Sequence, residues 1–148
     1  MSDSAASSAG FRLSAGQVTV LLGPDAARRD LLGRLDPGCP NRVVTVTSAR
    51  ARSATERIVA LEHAAAHRPA MVLVNRLTDG LGAADRRAVL AELRTLAAAG
   101  PAVLVDDADP VAALAVADGA LRTGLDGSVV VDDLGSPADH SSTQPPRN

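Results

Sequence analysis

Four short apolar runs, each separated from the next by a stretch of helical periodicity, restrict this chain to few folds. Residues 17–22 (QVTVLL), 42–47 (RVVTVT), 71–74 (MVLV) and 102–105 (AVLV) have strand length and β-branched content. Residues 26–35 place Leu31, Leu32 and Leu35 at helical spacing, and residues 53–66 place Ile58, Leu61 and Ala65 on one face. Residues 83–99 do the same with Val89, Leu90, Leu93 and Leu96, and Gly100-Pro101 closes that helix. Ser53 with Glu56 has the spacing of a capping box, and Asp109-Pro110 opens a short helix with Asp109 as its cap. Residues 119–131 form a hairpin turning at Asp126-Gly127, whose strands are expected at the sheet edge. Strand and helix alternating in this way predict a three-layer α/β fold with a mainly parallel sheet. The third run is apolar at every position, so both its faces are expected to be covered.

The turn after the first run reads Gly23-Pro24-Asp25-Ala26-Ala27-Arg28-Arg29-Asp30. It keeps the frame of the phosphate-binding P-loop, GxxxxGK[ST], between a strand and a helix, but retains only the first glycine. The last three positions of that motif need a glycine, a lysine and a hydroxyl, so that backbone N–H groups, an ammonium and a Mg²⁺ ligand converge on phosphate. Here they hold Arg28, Arg29 and Asp30, and all 15 basic residues of the chain are arginine. Arg29, in the lysine position, is the better candidate to clamp a phosphate. The competing reading is a solvated helix start in which Asp25 or Asp30 complements the dipole.

Composition closes off several functions. At 148 residues and 46% apolar content the chain has the size of one globular domain, with a core of Ala, Val and Leu. Phe11 is its one aromatic, which leaves no base-stacking platform, and a net charge of −2 offers no field for nucleic acid. Cys39 stands alone, which excludes an internal disulfide and cysteine-pair zinc sites. Residues 1–10 read as a flexible lead without the features of a secretory signal, and residues 134–148 as a disordered tail, leaving 11–133 as the domain. No apolar run approaches the ~20 residues of a membrane span, so a cytoplasmic protein without membrane insertion is expected.

The order of segments resembles the ATPase domain of ABC transporters over residues 11–131. FRLSAGQV (11–18) resembles the lead into that family's first core strand, and LLGP (21–24) the start of its Walker A loop. RIVALEHAAAHRP (57–69) resembles the helix after the LSGGQ signature, and the stretch from Met71 to Gly100 resembles the Walker B strand, D-loop and following helix. AVLVDDADP (102–110) resembles the switch-histidine strand, and DGALRTGLDGSVV (118–130) the terminal hairpin. The resemblance implies a P-loop ATPase topology, ATP as the ligand and a transporter component as partner.

The departures fall on the positions that would carry the chemistry. Where the family places the Walker B aspartate and the catalytic glutamate, this chain has Asn75 and Arg76. Arg76 cannot accept a proton, and a general base contributes about 10²–10⁴-fold. Thr78, Gly80 and Leu81 persist, whereas the D-loop aspartate becomes Gly82 and the switch histidine becomes Ala108. The signature residues are not recoverable in residues 51–55, and the short path from the second strand to the next helix leaves no helical subdomain.

Two further clusters have a functional and a plain reading. Asp106, Asp107 and Asp109 follow a buried strand, where a Mg²⁺ could sit or where capping and turn chemistry suffice. His63 and His67 share a helix face without a third ligand near in sequence. Arg86, Arg87 and Arg94 read as an exposed face with Asp85 and Glu92. The expected function is a hydrolysis-incompetent pseudo-ATPase that associates with an ABC ATPase or its membrane subunit, with no certain cofactor. The alternatives are weak ATP binding or residual turnover through Arg29, and a small-molecule or ion sensor at the acidic edge.

Overall fold

The computed structural model describes residues 13–35, 43–47 and 53–133. The expected lead at 1–10, the tail at 134–148, Phe11, Cys39 and the signature-equivalent residues 51–52 lie outside the described residues. The elements in order are β1 (Val18–Leu22), α1 (Asp25–Leu35), β2 (Val43–Thr47), α2 (Ala54–Ala66), β3 (Met71–Asn75), α3 (Ala83–Ala98), β4 (Ala102–Asp106), α4 (Pro110–Leu114), β5 (Gly119–Thr123) and β6 (Val129–Asp133). They form a six-stranded sheet in the order β2-β3-β4-β1-β5-β6, parallel except for the antiparallel β5–β6 hairpin. Only residues 48–53 separate β2 from α2, too short a path for a subdomain.

The period-two alternation of the strands divides the core into two layers of different composition. Val18, Val20, Val72, Val74, Val103 and Val105 pack with Leu61 of α2 and with Leu90 and Leu93 of α3. Leu21, Met71, Leu73, Leu104 and Leu121 face the other way, against Leu31, Leu32 and Leu35 of α1. β-Branched residues therefore line the side covered by α2, α3 and α4, and longer ones fill the side covered, among the described residues, by α1 and Leu13. The start of α2 is the expected capping box, with the Glu56 N–H donating to Ser53 Oγ and the Ser53 N–H to Glu56 Oε1.

Two expectations are corrected by the sheet order. β5 is an interior strand paired on both sides, by β1 and β6, and among the described strands β6 and β2 are the edges. The hairpin pattern fixes local pairing but carries no information on what lies beyond it. The α3 arginines also find partners other than Asp85 and Glu92: Arg94 pairs with Asp118 and Arg86 with Asp109. Asp109 precedes α4 and Asp118 follows it, so both arginines reach to the ends of that neighbouring segment rather than along their own helix.

Candidate functional site

The sheet order reverses at β1, whose neighbours β4 and β5 lie on opposite sides. Chain leaving β1 passes to the α1 face, whereas chain leaving β4 passes through α4 on the other face. Divergence of this kind opens a crevice at the carboxyl ends of the strands, where open α/β sheets bind ligands. The crevice here is a cavity of about 270 Å³ lined by Leu21, Leu22, Gly23, Arg28, Asp107, Ala108 and Pro110.

Gly23 has φ +127°, and a Cβ built on it would collide with the carbonyl oxygen of Thr123 and lie 2.6 Å from its Oγ1. Thr123 Oγ1 meanwhile donates to Leu22 O at 3.1 Å, so β5 is held directly against the loop. The one P-loop glycine that remains is thus required by the fold itself.

Arg28 occupies the loop. Its guanidinium donates to Asp106 and to Asp25, and its Nε donates to Gly23 O at 3.0 Å. The Arg28 side chain is 15% exposed and that of Asp106 4%. Burial pushes the Asp106 carboxyl above its ordinary range, and the Arg28 guanidinium opposes that rise. The reading of residues 25–30 as a merely solvated helix start therefore fails for Arg28. Arg29, favoured from sequence because of its position, stays out of the loop: it is 72% exposed and meets Asp25 at 3.6 Å. Asp30 pairs with Arg34 at 3.3 Å, and Pro24, Ala26 and Ala27 contribute no charge. Ala26 and Ala27 line a second cavity, of about 180 Å³, toward the β5–β6 turn.

The positions at the end of β3 are held in register with the end of β4. Asn75 lies opposite Asp106, and the Arg76 N–H donates to Asp106 O at 2.7 Å. Arg76 adopts φ +58°, in the left-handed region that costs a non-glycine residue roughly 1–2 kcal/mol. Its guanidinium turns to Asp79 at 3.1 Å, and that hydrogen bond raises its pKa. Arg76→Gly should leave stability unchanged or raise it by up to about 1 kcal/mol, since the lost exposed ion pair offsets part of the relieved strain. Chemical denaturation followed by circular dichroism reads this directly. A loss exceeding about 1 kcal/mol would mean that the Arg76–Asp79 pair outweighs the strain.

The acidic cluster resolves into separate tasks. Asp107 accepts from Thr78 Oγ1 at 2.6 Å and from the Asp109 N–H at 2.9 Å. Asp109 caps α4, accepting from the Ala112 N–H at 3.1 Å. Among the described residues no group of three His, Cys, Asp or Glu side chains is placed to hold a metal ion. His63 and His67 meet edge to face at 5.0 Å, and His67 Nδ1 lies 2.9 Å from His63 O.

Arg57 was not marked by the sequence pattern. It is buried in α2, and its Nη1 donates to Leu77 O at 2.9 Å and also to Asp79 O. This arginine fixes the loop after β3 from below, while Thr78 fixes it from the side. The only signal was an arginine at the start of an apolar helix face, which reads as solvent-facing unless its partner is known.

No protein-family model and no curated protein matches the chain. Solved structures do match its fold. "Structure of ATP binding subunit of ABC transporter" aligns with TM-score 0.65 and 11% identity, over 90% of this chain and 84% of that one. The cbiO1 protein of Clostridium perfringens, described as part of the ABC transporter complex cbiONQ, gives TM-score 0.68 and 10% identity, covering 83% and 79%. A nucleotide-free ATP-binding cassette from an ABC transporter gives 0.69 and 10%, covering 91% and 87%. With strand order, loop placement and these alignments in agreement, the chain has the fold of an ABC transporter ATP-binding subunit.

Proposed function

We propose that this chain is a pseudo-ATPase, which works by associating with a protein partner of the ABC transporter type rather than by turning over nucleotide. The observation that carries the reading is the Arg28 guanidinium, bound to Asp106, Asp25 and Gly23 O inside the loop that would receive phosphate. A phosphate entering there would have to displace a charge-assisted network and face the buried carboxylates of Asp106 and Asp107. The positions where the resemblance places the metal-holding and water-activating groups are unsuited to that work: Arg76 cannot accept a proton, and Asn75 and Ala108 carry no charge. Of the solved structures that share the fold, the cbiO1 protein is described as part of a transporter complex, which supports a protein partner here. Attachment to a membrane would come through that partner, since no described helix is long and apolar enough to cross one.

Titration with MgATP tests the reading. Neither a shift in the thermal transition nor phosphate release is expected at millimolar nucleotide. A true site would be hard to miss, because ligand at a hundred times its Kd stabilises by about 2.7 kcal/mol. Dose-dependent stabilisation that disappears in Arg29→Ala would instead establish an ATP site with arginine in the lysine position.

A further inference from the structure

A cavity of about 260 Å³ lies beside the blocked loop, lined by Arg29, Leu32 and Gly33 of α1 and by Thr45, Leu73 and Asn75 of the sheet. Gly33 is what leaves it open. The residue sits inside a regular helix of 11 residues, where glycine is the least favourable residue after proline. A Cβ added at Gly33 would meet nothing within 4 Å, so crowding does not call for a glycine. A larger side chain would occupy the hole.

The lining has one apolar and one polar part. Leu73 and Leu32 are both buried and form the floor. Asn75 contributes an amide, and Arg29 a guanidinium held only by its 3.6 Å ion pair to Asp25 among the described residues. Pockets for drug-sized ligands span about 300–1,000 Å³, so this one suits a smaller molecule. Asp25, four residues before Arg29, and Asp30, next to it, oppose a dianion such as phosphate more than a singly charged carboxylate, which matches the planar guanidinium fork. We propose that this cavity binds a small aliphatic carboxylate, with its head group on Arg29 and Asn75 and its chain over Leu32 and Leu73. The site is separate from the loop filled by Arg28 but shares Arg29 with the alternative ATP reading, so absence of MgATP binding leaves the carboxylate proposal standing and hexanoate binding is read on its own.

Ligand-observed NMR on the full chain with hexanoate, with hexanol and inorganic phosphate as comparators, tests the proposal. Hexanoate is expected to bind at millimolar concentration and more tightly than either comparator. Arg29→Ala should weaken it about tenfold, and Gly33→Leu, which fills the hole, should abolish it. Arg29 is a surface residue, so its variant reports on the site even if Gly33→Leu fails to fold. The proposal is overturned if hexanoate does not bind, if phosphate binds as well as hexanoate, or if Arg29→Ala binds like the wild type. Loss in Arg29→Ala with full retention in a folded Gly33→Leu also overturns it, because the carboxylate would then sit on a surface guanidinium and not in the cavity.

Discussion

Gly23→Ala is expected to lower the unfolding free energy by about 3 kcal/mol or more, a large effect for a single added methyl group. Two penalties coincide at this residue. Its φ of +127° is a conformation that L side chains rarely adopt, and the new Cβ would press on the Thr123 backbone as well as on Oγ1. Backbone cannot swing aside as a flexible side chain can, so β5 would have to move away from β1 and lose pairing at Leu22–Arg122. With no Trp or Tyr in the chain, circular dichroism is the suitable probe of the transition. A cost below about 1 kcal/mol would show that the contact yields, and that the fold does not require glycine there.

Arg28→Ala should be comparably damaging, by about 3–5 kcal/mol near neutral pH, because it leaves Asp106 buried without its counter-charge. The loss has a characteristic pH dependence. Asp106 already has a folded-state pKa above its unfolded value, so its contribution to stability is fullest in acid and declines as pH rises through the folded pKa. Removing Arg28 takes away the attraction that opposes the rise, so the folded pKa climbs further and the decline extends to higher pH. Wild type and variant should therefore lie closest in acid, where Asp106 is protonated in both, and diverge toward neutrality. Arg28→Ala/Asp106→Asn should recover most of the loss, since the uncompensated charge at position 106 is gone. A variant within about 0.5 kcal/mol of wild type at neutral pH would mean that the pair contributes nothing.

The layers of the fold were legible because local patterns set them. Strands ending at Leu22 and Thr47, the third strand to within one residue of its end, the Ser53–Glu56 box and the Asp109 cap all depend on neighbours within a few residues. What escaped the sequence was governed by contacts across the sheet. Which of two adjacent arginines enters the loop is decided by Asp106, which follows Arg28 by 78 residues and reaches it only through the β1–β4 pairing. Motif position favoured Arg29, but a helix turns about 100° per residue, and it is Arg28 that points toward β4. The buried Arg57 escaped for the same reason, its acceptors being carbonyls of a loop 20 and 22 residues on. The cavity at Gly33 left no mark at all, since a glycine in a helix is indistinguishable from a weak helix until its surroundings are known.

The latch across the loop is built from a guanidinium, and that choice has a regulatory consequence. A lysine in a phosphate loop can be neutralised by acylation, and its ammonium can lose a proton when buried. Arg28 admits neither change, and no lysine exists in the chain for an acetyl- or ubiquitin-transfer enzyme to reach. Lysine-directed acylation or ubiquitylation therefore has no target in this sequence, and the latch can be opened only by what competes for the ion pairs of Arg28.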